Sequence, residues 1–449
     1  MRIAVIGAGI VGVTTAYELA ADGHEVAVFE RSGSVAAEGS FANGGLIAPG
    51  ACVAWPHARP VGAGLVHRFG HAAPPSVSGP LLARLGWSLR AWRTVSSDPD
   101  SLRARSLLAL ATHSLSQLQG LRHQLGLDYE HAQGHLLLLR SAKELTALKP
   151  SLLLLEQLGV AHQLLDPARC LRAEPGLNPD TALHGGVLLG EGEVGNCRQF
   201  ALLLRQEAQR LGARFRFHTQ VMRIDVGDKP QLLHAYTPPD AGSAALRDPA
   251  GSGSSNEPDT QTLPKDPMQE RFDAIVVCAA AASVPLLEPL GIKPPLASLH
   301  GISITAPLRQ IEAHPDFGPR ASVLDARFGV TISRIGQRVR LCGGAALGKA
   351  DAISPRIEET LHRVLHDWFP GATQGGAVQR WIGARAQLAD GLPLLGPSGR
   401  QGLWLNFGHG NQGWALACGS ARLLADQLGG RPTALQPEVL QALAPSRLR

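Results

Sequence analysis

Gly7-Ala8-Gly9-Ile10-Val11-Gly12 is the feature that most narrows what this chain can become. The six residues stand between the apolar run Arg2 to Ile6 and the helix-forming stretch Val13 to Ala21. A second apolar run, Glu25 to Phe29, then ends at Glu30. This pattern is a βαβ unit with a glycine turn. Gly7 allows the tight turn, Gly9 lets backbone approach a pyrophosphate at the helix start, and Gly12 permits close packing of helix on strand. Glu30, eighteen positions past Gly12, can accept hydrogen bonds from ribose hydroxyls and would repel a 2′-phosphate. The unit predicts a bound dinucleotide other than NADP and leaves FAD and NAD open.

A chain of 449 residues has room for two or three structural units. Its 44% hydrophobic and 18% charged residues exclude a generally disordered protein. The net charge of +5 is spread without a long basic block, so no nucleic-acid partner is expected. Cys52, Cys170, Cys197, Cys278, Cys342 and Cys418 lie far apart, which fits neither a disulfide framework nor a zinc site, and no metal is expected. The cysteine usage fits a reducing, cytoplasmic setting. Glycines interrupt the apolar start, so no secretory leader is read. The longest apolar stretch, Ala274 to Leu287, has about fourteen residues, includes Pro285 and is short of the ~20 needed to span a bilayer.

Residues 101 to 126 and 142 to 158 read as leucine-rich helices, and Phe200 to Leu211 as another. Gly185 to Leu189, Arg214 to His218 and Val221 to Val226 read as strands, 296 to 306 and 321 to 343 as β-rich, and 354 to 369 as a helix. Residues 237 to 270 turn abruptly to Pro, Gly, Ser, Asp and Thr, and are expected to form a disordered loop. The loop would lengthen a hairpin whose strands are Leu232 to Tyr236 and Phe272 to Cys278. Leu81, Leu85, Leu89 and Trp92 share one helical face, with Arg84, Arg90 and Arg93 off it, the pattern of an interfacial helix or of one packed on a core.

Two later segments carry chemistry. Gly39-Ser40-Phe41-Ala42-Asn43-Gly44-Gly45-Leu46-Ile47-Ala48-Pro49 is too polar and glycine-rich for a strand, and its paired glycines permit backbone close to a flat ring. Near the end, Trp381-Ile382-Gly383-Ala384-Arg385 precedes Asp390-Gly391-Leu392-Pro393. Asn406-Phe407-Gly408-His409-Gly410-Asn411-Gln412-Gly413-Trp414 then opens the last helix. Free N–H groups at a helix start favour negative charge, which a reduced flavin carries near N1 and the C2 carbonyl.

These motifs, with Glu193 to Phe200 and Ala417-Cys418-Gly419-Ser420, resemble the D-amino-acid dehydrogenase small subunits of the FAD-dependent D-amino-acid oxidase and glycine oxidase superfamily. The resemblance covers nearly the whole chain outside the 237 to 270 insert. It implies an α/β fold in which a discontinuous Rossmann-like FAD-binding domain (1–85, 170–295 and 385–449) joins an α+β substrate domain built on an antiparallel sheet (86–169 and 296–384). It places Gly7, Gly9, Ile10, Val11, Gly12, Glu30 and Arg31 around the ADP half, with Val221 at adenine through its main chain. Ser40, Asn43, Gly44, Gly45 and Leu46 approach the pyrophosphate and ring, and Gly408, His409, Gly410, Asn411, Gln412 and Gly413 cradle the pyrimidine end. Arg385 matches the arginine that binds the substrate carboxylate in related amine oxidases, and a planar guanidinium suits that bidentate task. His409 is the second catalytic candidate, as a group that adjusts flavin electrostatics or a substrate proton.

The implied reaction is oxidative deamination of a D-amino acid. Its Cα hydrogen leaves as hydride toward flavin N5, and the imine hydrolyses to a 2-oxo acid and ammonia. The electrons pass to a quinone or another respiratory-chain acceptor, and the 81–92 face is the candidate for peripheral contact with the inner face of the cytoplasmic membrane. Two readings stay open beside it: an oxygen-using oxidase of glycine, an N-methyl amino acid or a 2-hydroxy acid, and a non-catalytic flavin-carrying subunit. Three departures from the family are plain. Arg385-Ala386-Gln387-Leu388-Ala389-Asp390-Gly391 stands where relatives have Arg-Pro-Met-Thr-Pro-Asp-Gly, which leaves substrate choice open. His300-Gly301-Ile302-Ser303 replaces Lys-Gly-Tyr-Ser, and Ala279-Ala280 replaces a glycine turn.

Overall fold

The structure, a computed structural model, describes residues 1–54, 76–77, 87, 89, 102–237, 266–309, 317–347, 355–374, 376 and 378–448. Its organising element is the βαβ unit: strand Arg2–Ile6, helix Ile10–Ala21 and strand Glu25–Phe29, with the two strands parallel. Around them a six-stranded sheet runs in the order Leu394–Pro397, Leu403–Phe407, Ala274–Val277, Arg2–Ile6, Glu25–Phe29, Arg214–Arg216. Only the first pair is antiparallel.

Side chains two apart on a strand share a face, and this alternation divides the sheet's residues between two layers. Ile3, Val5, Val26, Val28 and Val276 pack with residues of the helices Ile10–Ala21, Cys197–Arg210 and Gly413–Leu428. Ala4, Ile6, Phe29, Ile275 and Val277 pack on the other side, with Val221, Ile224 and Leu232 of a small three-stranded sheet. The helix Leu102–Leu125 joins the first layer. Gly419 lets it approach, because a Cβ there would lie 2.8 Å from the Ser114 backbone.

The expected hairpin has a different second strand. Gln231–Tyr236 pairs antiparallel with Met268–Arg271, while Ala274–Val277 enters the parallel sheet between Arg2–Ile6 and Leu403–Phe407. All four residues of Ala274–Val277 are buried, as a strand covered on both faces requires, whereas Met268–Arg271 is largely exposed, as an edge strand tolerates. The insert expected over 237 to 270 therefore ends in a strand. Its residues 238–265 lie outside the described residues, as do Leu81, Leu85 and Trp92 of the amphipathic face, while Leu89 is exposed.

A second, ten-stranded sheet is largely antiparallel, with Ser322–Asp325 parallel to Ala132–Leu139. One face is apolar: Leu136, Leu138, Ile302, Ile304, Val323, Ile332, Val339 and Leu341 pack on Ile357, Leu361, Val364 and Trp368 of the helix Pro355–Trp368. The opposite face carries Ser303, Thr305, Ser333, Arg340, Cys342 and Arg385, related by strand register. Sheet membership cuts across the expected domain limits. Gly185–Val194 lies inside this sheet although 170–295 was assigned to the FAD-binding unit. Leu102–Leu125 packs with the parallel sheet although 86–169 was assigned to the substrate unit. Leu46–Ile47, in the loop read as too polar for a strand, pairs with Glu193–Val194.

Among the described residues no helix is long and apolar enough to cross a membrane, and no cluster of potential metal ligands occurs. All six cysteines are free and buried. Burial pushes the thiols of Cys52, Cys197 and Cys278 up to about 12.

Candidate functional site

The first glycine turn is shaped by close approach. Gly7 has φ +96°, and a Cβ there would meet the Cys278 carbonyl oxygen at 2.9 Å. A Cβ on Gly12 would lie 1.9 Å from the Gly7 oxygen, so the helix rests directly on the turn. The helix Ile10–Ala21 has glycine at its N-cap, no side-chain cap of its own and no acidic residue in its first turn. Its Ile10 N–H donates to Ser40 Oγ at 3.1 Å, which ties the 39–49 loop to the helix start. Glu30 accepts N–H bonds from Ala8 and Ser32, both at 2.7 Å, and these hold its carboxylate at the strand end.

The distant turn is built the same way. Gly408 (φ +87°) and Gly410 (φ +58°) follow the strand Leu403–Phe407, and the helix Gly413–Leu428 again starts without a side-chain cap. Both turns line one cavity of about 640 Å³. It opens at the carboxyl ends of the parallel strands, where open α/β sheets bind ligands.

Of the residues singled out from sequence, Gly7, Gly9, Ile10, Val11, Glu30 and Arg31 line this cavity from the first turn. Ser40, Asn43, Val221 and Arg385 line it from intervening segments, and Gly408, His409, Gly410, Asn411 and Gly413 from the last turn. Arg31 sits at the rim, exposed and bidentate to Glu38 at 2.7 Å. Gly12, Gly44, Gly45, Leu46 and Gln412 are not in the wall. Gly12 lies beneath the turn, and Gln412 donates to the Cys52 carbonyl. The Gly44 carbonyl accepts from Ser333, Gly45 (φ +74°) donates to the Asn43 side chain, and Leu46 pairs with Val194. This glycine pair turns the loop onto the large sheet.

The wall also includes Ala279, Ala280, Ala281 and Ala282, and Ala280 takes φ +47° there. Ala384, Ala386 and Trp414, within segments already singled out, also line the wall, and Thr219, Gln220 and Met222 complete parts of it without any local signal in the sequence. Val221 on the same strand is the pointer to those three.

Arg385 is a partly buried cation on the strand Gln379–Leu388. Its guanidinium lies over Gly301, where a Cβ would stand 2.5 Å from Nη2. Among the described residues no hydrogen bond or ion pair meets it, and burial lowers its affinity for the proton. A guanidinium remains charged even so. His409 is different in kind. Burial pushes its pKa down to about 3, so the ring is neutral, and its Nε2 lies 3.2 Å from Ser420 Oγ. That hydroxyl donates to the Ala417 carbonyl, which makes Nε2–H the donor to Oγ. His300, on the strand Leu296–Pro307, pairs with Ala346 and Ala384 across its two neighbours.

A cavity entered by two uncapped helix N-termini, with a fixed carboxylate at a strand end, supplies the donors and acceptor that a flavin dinucleotide needs. The sequence model of the family described as FAD dependent oxidoreductase matches residues 2–427. The chain belongs to this family.

It is an FAD-dependent oxidoreductase of mixed α/β fold. D-amino acid dehydrogenase from Rhodopseudomonas palustris is 33% identical to it over 100% of this chain and 98% of the relative. D-amino acid dehydrogenase from Cereibacter sphaeroides is 36% identical over 96% of this chain and 92% of the relative. Among solved structures, glycine oxidase from Geobacillus kaustophilus superposes with a TM-score of 0.68 at 20% identity, covering 99% of this chain and 98% of that one. L-alpha-glycerophosphate oxidase from Mycoplasma pneumoniae, with FAD bound, gives a TM-score of 0.65 at 16% identity, covering 97% and 96%.

Proposed function

We propose that this oxidoreductase converts a D-amino acid to a 2-oxo acid and ammonia and passes the electrons to a respiratory-chain acceptor of the quinone class. The observation that carries the reading is Arg385: a cation without a partner among the described residues, in the same cavity as both glycine turns. The similarity to D-amino acid dehydrogenases supports a D-amino acid as the substrate.

FAD, when bound, supplies the two-electron acceptor for the substrate's Cα hydride. Gly9, Ile10 and Val11 would present the helix start to its pyrophosphate, Glu30 would take a ribose hydroxyl, and the turn Gly408 to Gly413 would hold the ring's pyrimidine end. Arg385 binds the substrate carboxylate bidentately and thereby fixes where Cα lies. The His409 ring, neutral and bonded to Ser420, serves as a fixed dipole and leaves proton transfer to water and the substrate amine.

Anaerobic mixing with D- and L-amino acids, N-methyl amino acids and 2-hydroxy acids, followed by flavin bleaching, tests the substrate class. Bleaching by D-amino acids that Arg385→Leu abolishes with FAD retained is the expected result, and unchanged kinetics in that variant would remove Arg385 from the site. Reoxidation by a soluble quinone analogue faster than by oxygen supports the acceptor. Stoichiometric hydrogen peroxide would favour the oxidase reading, and no bleaching by any substrate would favour a flavin-carrying subunit. Co-sedimentation with anionic vesicles tests peripheral contact with the membrane through the 81–92 stretch.

A further inference from the structure

We propose that a second cavity, of about 240 Å³ and lined by Phe41, Glu130, Asn196, Arg198, Arg338 and Arg340, binds a small oxyanion of the carboxylate or phosphate type. It is separate from the cavity that holds Arg385. The loop between Ser40 and Asn43 contributes to both, with Phe41 facing one and Ser40 and Asn43 the other.

Among the described residues the wall holds one carboxylate beside Arg338 and Arg340, and it is already engaged: Glu130 Oε2 accepts from Arg338 Nη2 at 2.7 Å and from Asn196 Nδ2 at 2.7 Å. Arg340 is only 4% exposed, yet both of its hydrogen bonds go to neutral oxygens: Nε donates to Thr305 Oγ1 at 2.9 Å and Nη1 to the Asn43 carbonyl at 3.0 Å. The nearby Cys342 thiol is held protonated by burial and supplies no counter-charge. Among the described residues no carboxylate forms an ion pair with Arg340. A cation buried this far is costly without a counter-ion, and a guanidinium carries five donors, more than two neutral acceptors use.

The surroundings suit a small, planar or tetrahedral anion. Arg338 is part-exposed (43%) and stands at the mouth, and Arg340 stands at the buried end, so the positive wall runs from solvent inward. Arg198 lies 4.2 Å over the Phe41 ring, whose centroid is 4.4 Å from that of Trp381 on the strand that carries Arg385, the two rings tilted by 35°. An anion on these arginines would touch the loop shared with the catalytic cavity through Arg340 and the Asn43 carbonyl.

Calorimetric titration of the FAD-loaded protein at low ionic strength, with succinate and separately with inorganic phosphate, tests the proposal. Wild type and Arg385→Leu should both bind at least one of the two anions, and which one binds identifies the source. Arg338→Gln and Arg340→Lys should each weaken that binding at least about tenfold, the first by removing a charge and the second by removing the fork while keeping the charge. The flavin spectrum of Arg338→Gln should match wild type. Absence of binding to wild type, loss of binding in Arg385→Leu, or undiminished binding in Arg338→Gln each overturns the site. The substrate reading is unaffected by any of these outcomes, because it is judged by flavin bleaching.

Discussion

Substituting Gly301 by alanine should damage substrate binding through Arg385 while sparing both the fold and the cofactor. Gly301 sits at an irregularity in the pairing of Leu296–Pro307 with Arg338–Leu347, and a methyl there would stand 2.5 Å from Arg385 Nη2 and 2.7 Å from its Cζ. Ordinary contact needs roughly 3.5 Å or more, so the guanidinium must withdraw by about 1 Å. The displaced group is the far end of a flexible side chain with no partner among the described residues, and its retreat costs little stability. A strand glycine replaced by alanine otherwise gains slightly in chain entropy, so the melting temperature should change by no more than about 2 °C. Losing or bending one charge-assisted contact to the substrate carboxylate is worth about 1.5–3 kcal/mol, which is about ten- to a hundredfold in kcat/KM. The assay is steady-state oxidation of D-alanine with a dye acceptor, beside a flavin absorbance spectrum. A kcat/KM within about twofold of wild type would refute the claim that Arg385 in this pose holds the carboxylate. Loss of flavin would show that the perturbation travels further than the geometry allows.

Gly12→Ala would drive a methyl to 1.9 Å from the Gly7 oxygen, so it should cost at least about 1–3 kcal/mol and leave the purified protein poor in FAD, read by thermal melting and flavin content. Ala280→Gly should be stability-neutral or slightly stabilising, against the usual loss of about 0.5–1 kcal/mol for such a change, because Ala280 is held at φ +47°. Thermal melts of the pair decide it. Burial depresses the folded-state pKa of His135 to about 4 and of His409 to about 3, from an ordinary 6.5. Only the unfolded chain takes up these protons between the ordinary and depressed values. Stability is therefore unaffected by them above pH 6.5 and falls as pH drops toward 4, by about 1.4 kcal/mol per pH unit for each group. Urea melts from pH 7 to pH 5 should show a falling midpoint, and a His135→Gln variant that folds should show a shallower fall.

Local physics made much of the fold legible. Val13 to Ala21 has to be helical and flanked by parallel strands because the glycines around Gly7 admit little else, and the helices 102–125, 142–157 and 355–368 follow from their apolar spacing. The hairpin partner of Gln231–Tyr236 was misread because Ala274–Val277 is the more apolar run. Being apolar on both faces in fact assigns it to the sheet's interior and leaves the polar Met268–Arg271 for the edge. The pair Gly44 and Gly45 was expected near the ring for its flexibility, and the packing of Gly45 against Val194 and Ile335 shows a second use for the same freedom.

Sequence alone determined the dinucleotide turn and Glu30 at the end of its second strand, since both depend on residues close together in the chain, whereas Arg385 was singled out by the family resemblance. Tertiary structure decided what those residues face. Which strands pair, which side of the large sheet is polar, and whether an arginine meets a carboxylate or an open cavity all depend on contacts between distant segments, and their energies are set by burial that no local pattern encodes. Arg340 and Arg385 look alike as letters, on two strands that flank Leu296–Pro307. Only packing gives one a carbonyl and a hydroxyl and leaves the other with no partner among the described residues, in the wall of the cavity shared by the two glycine turns.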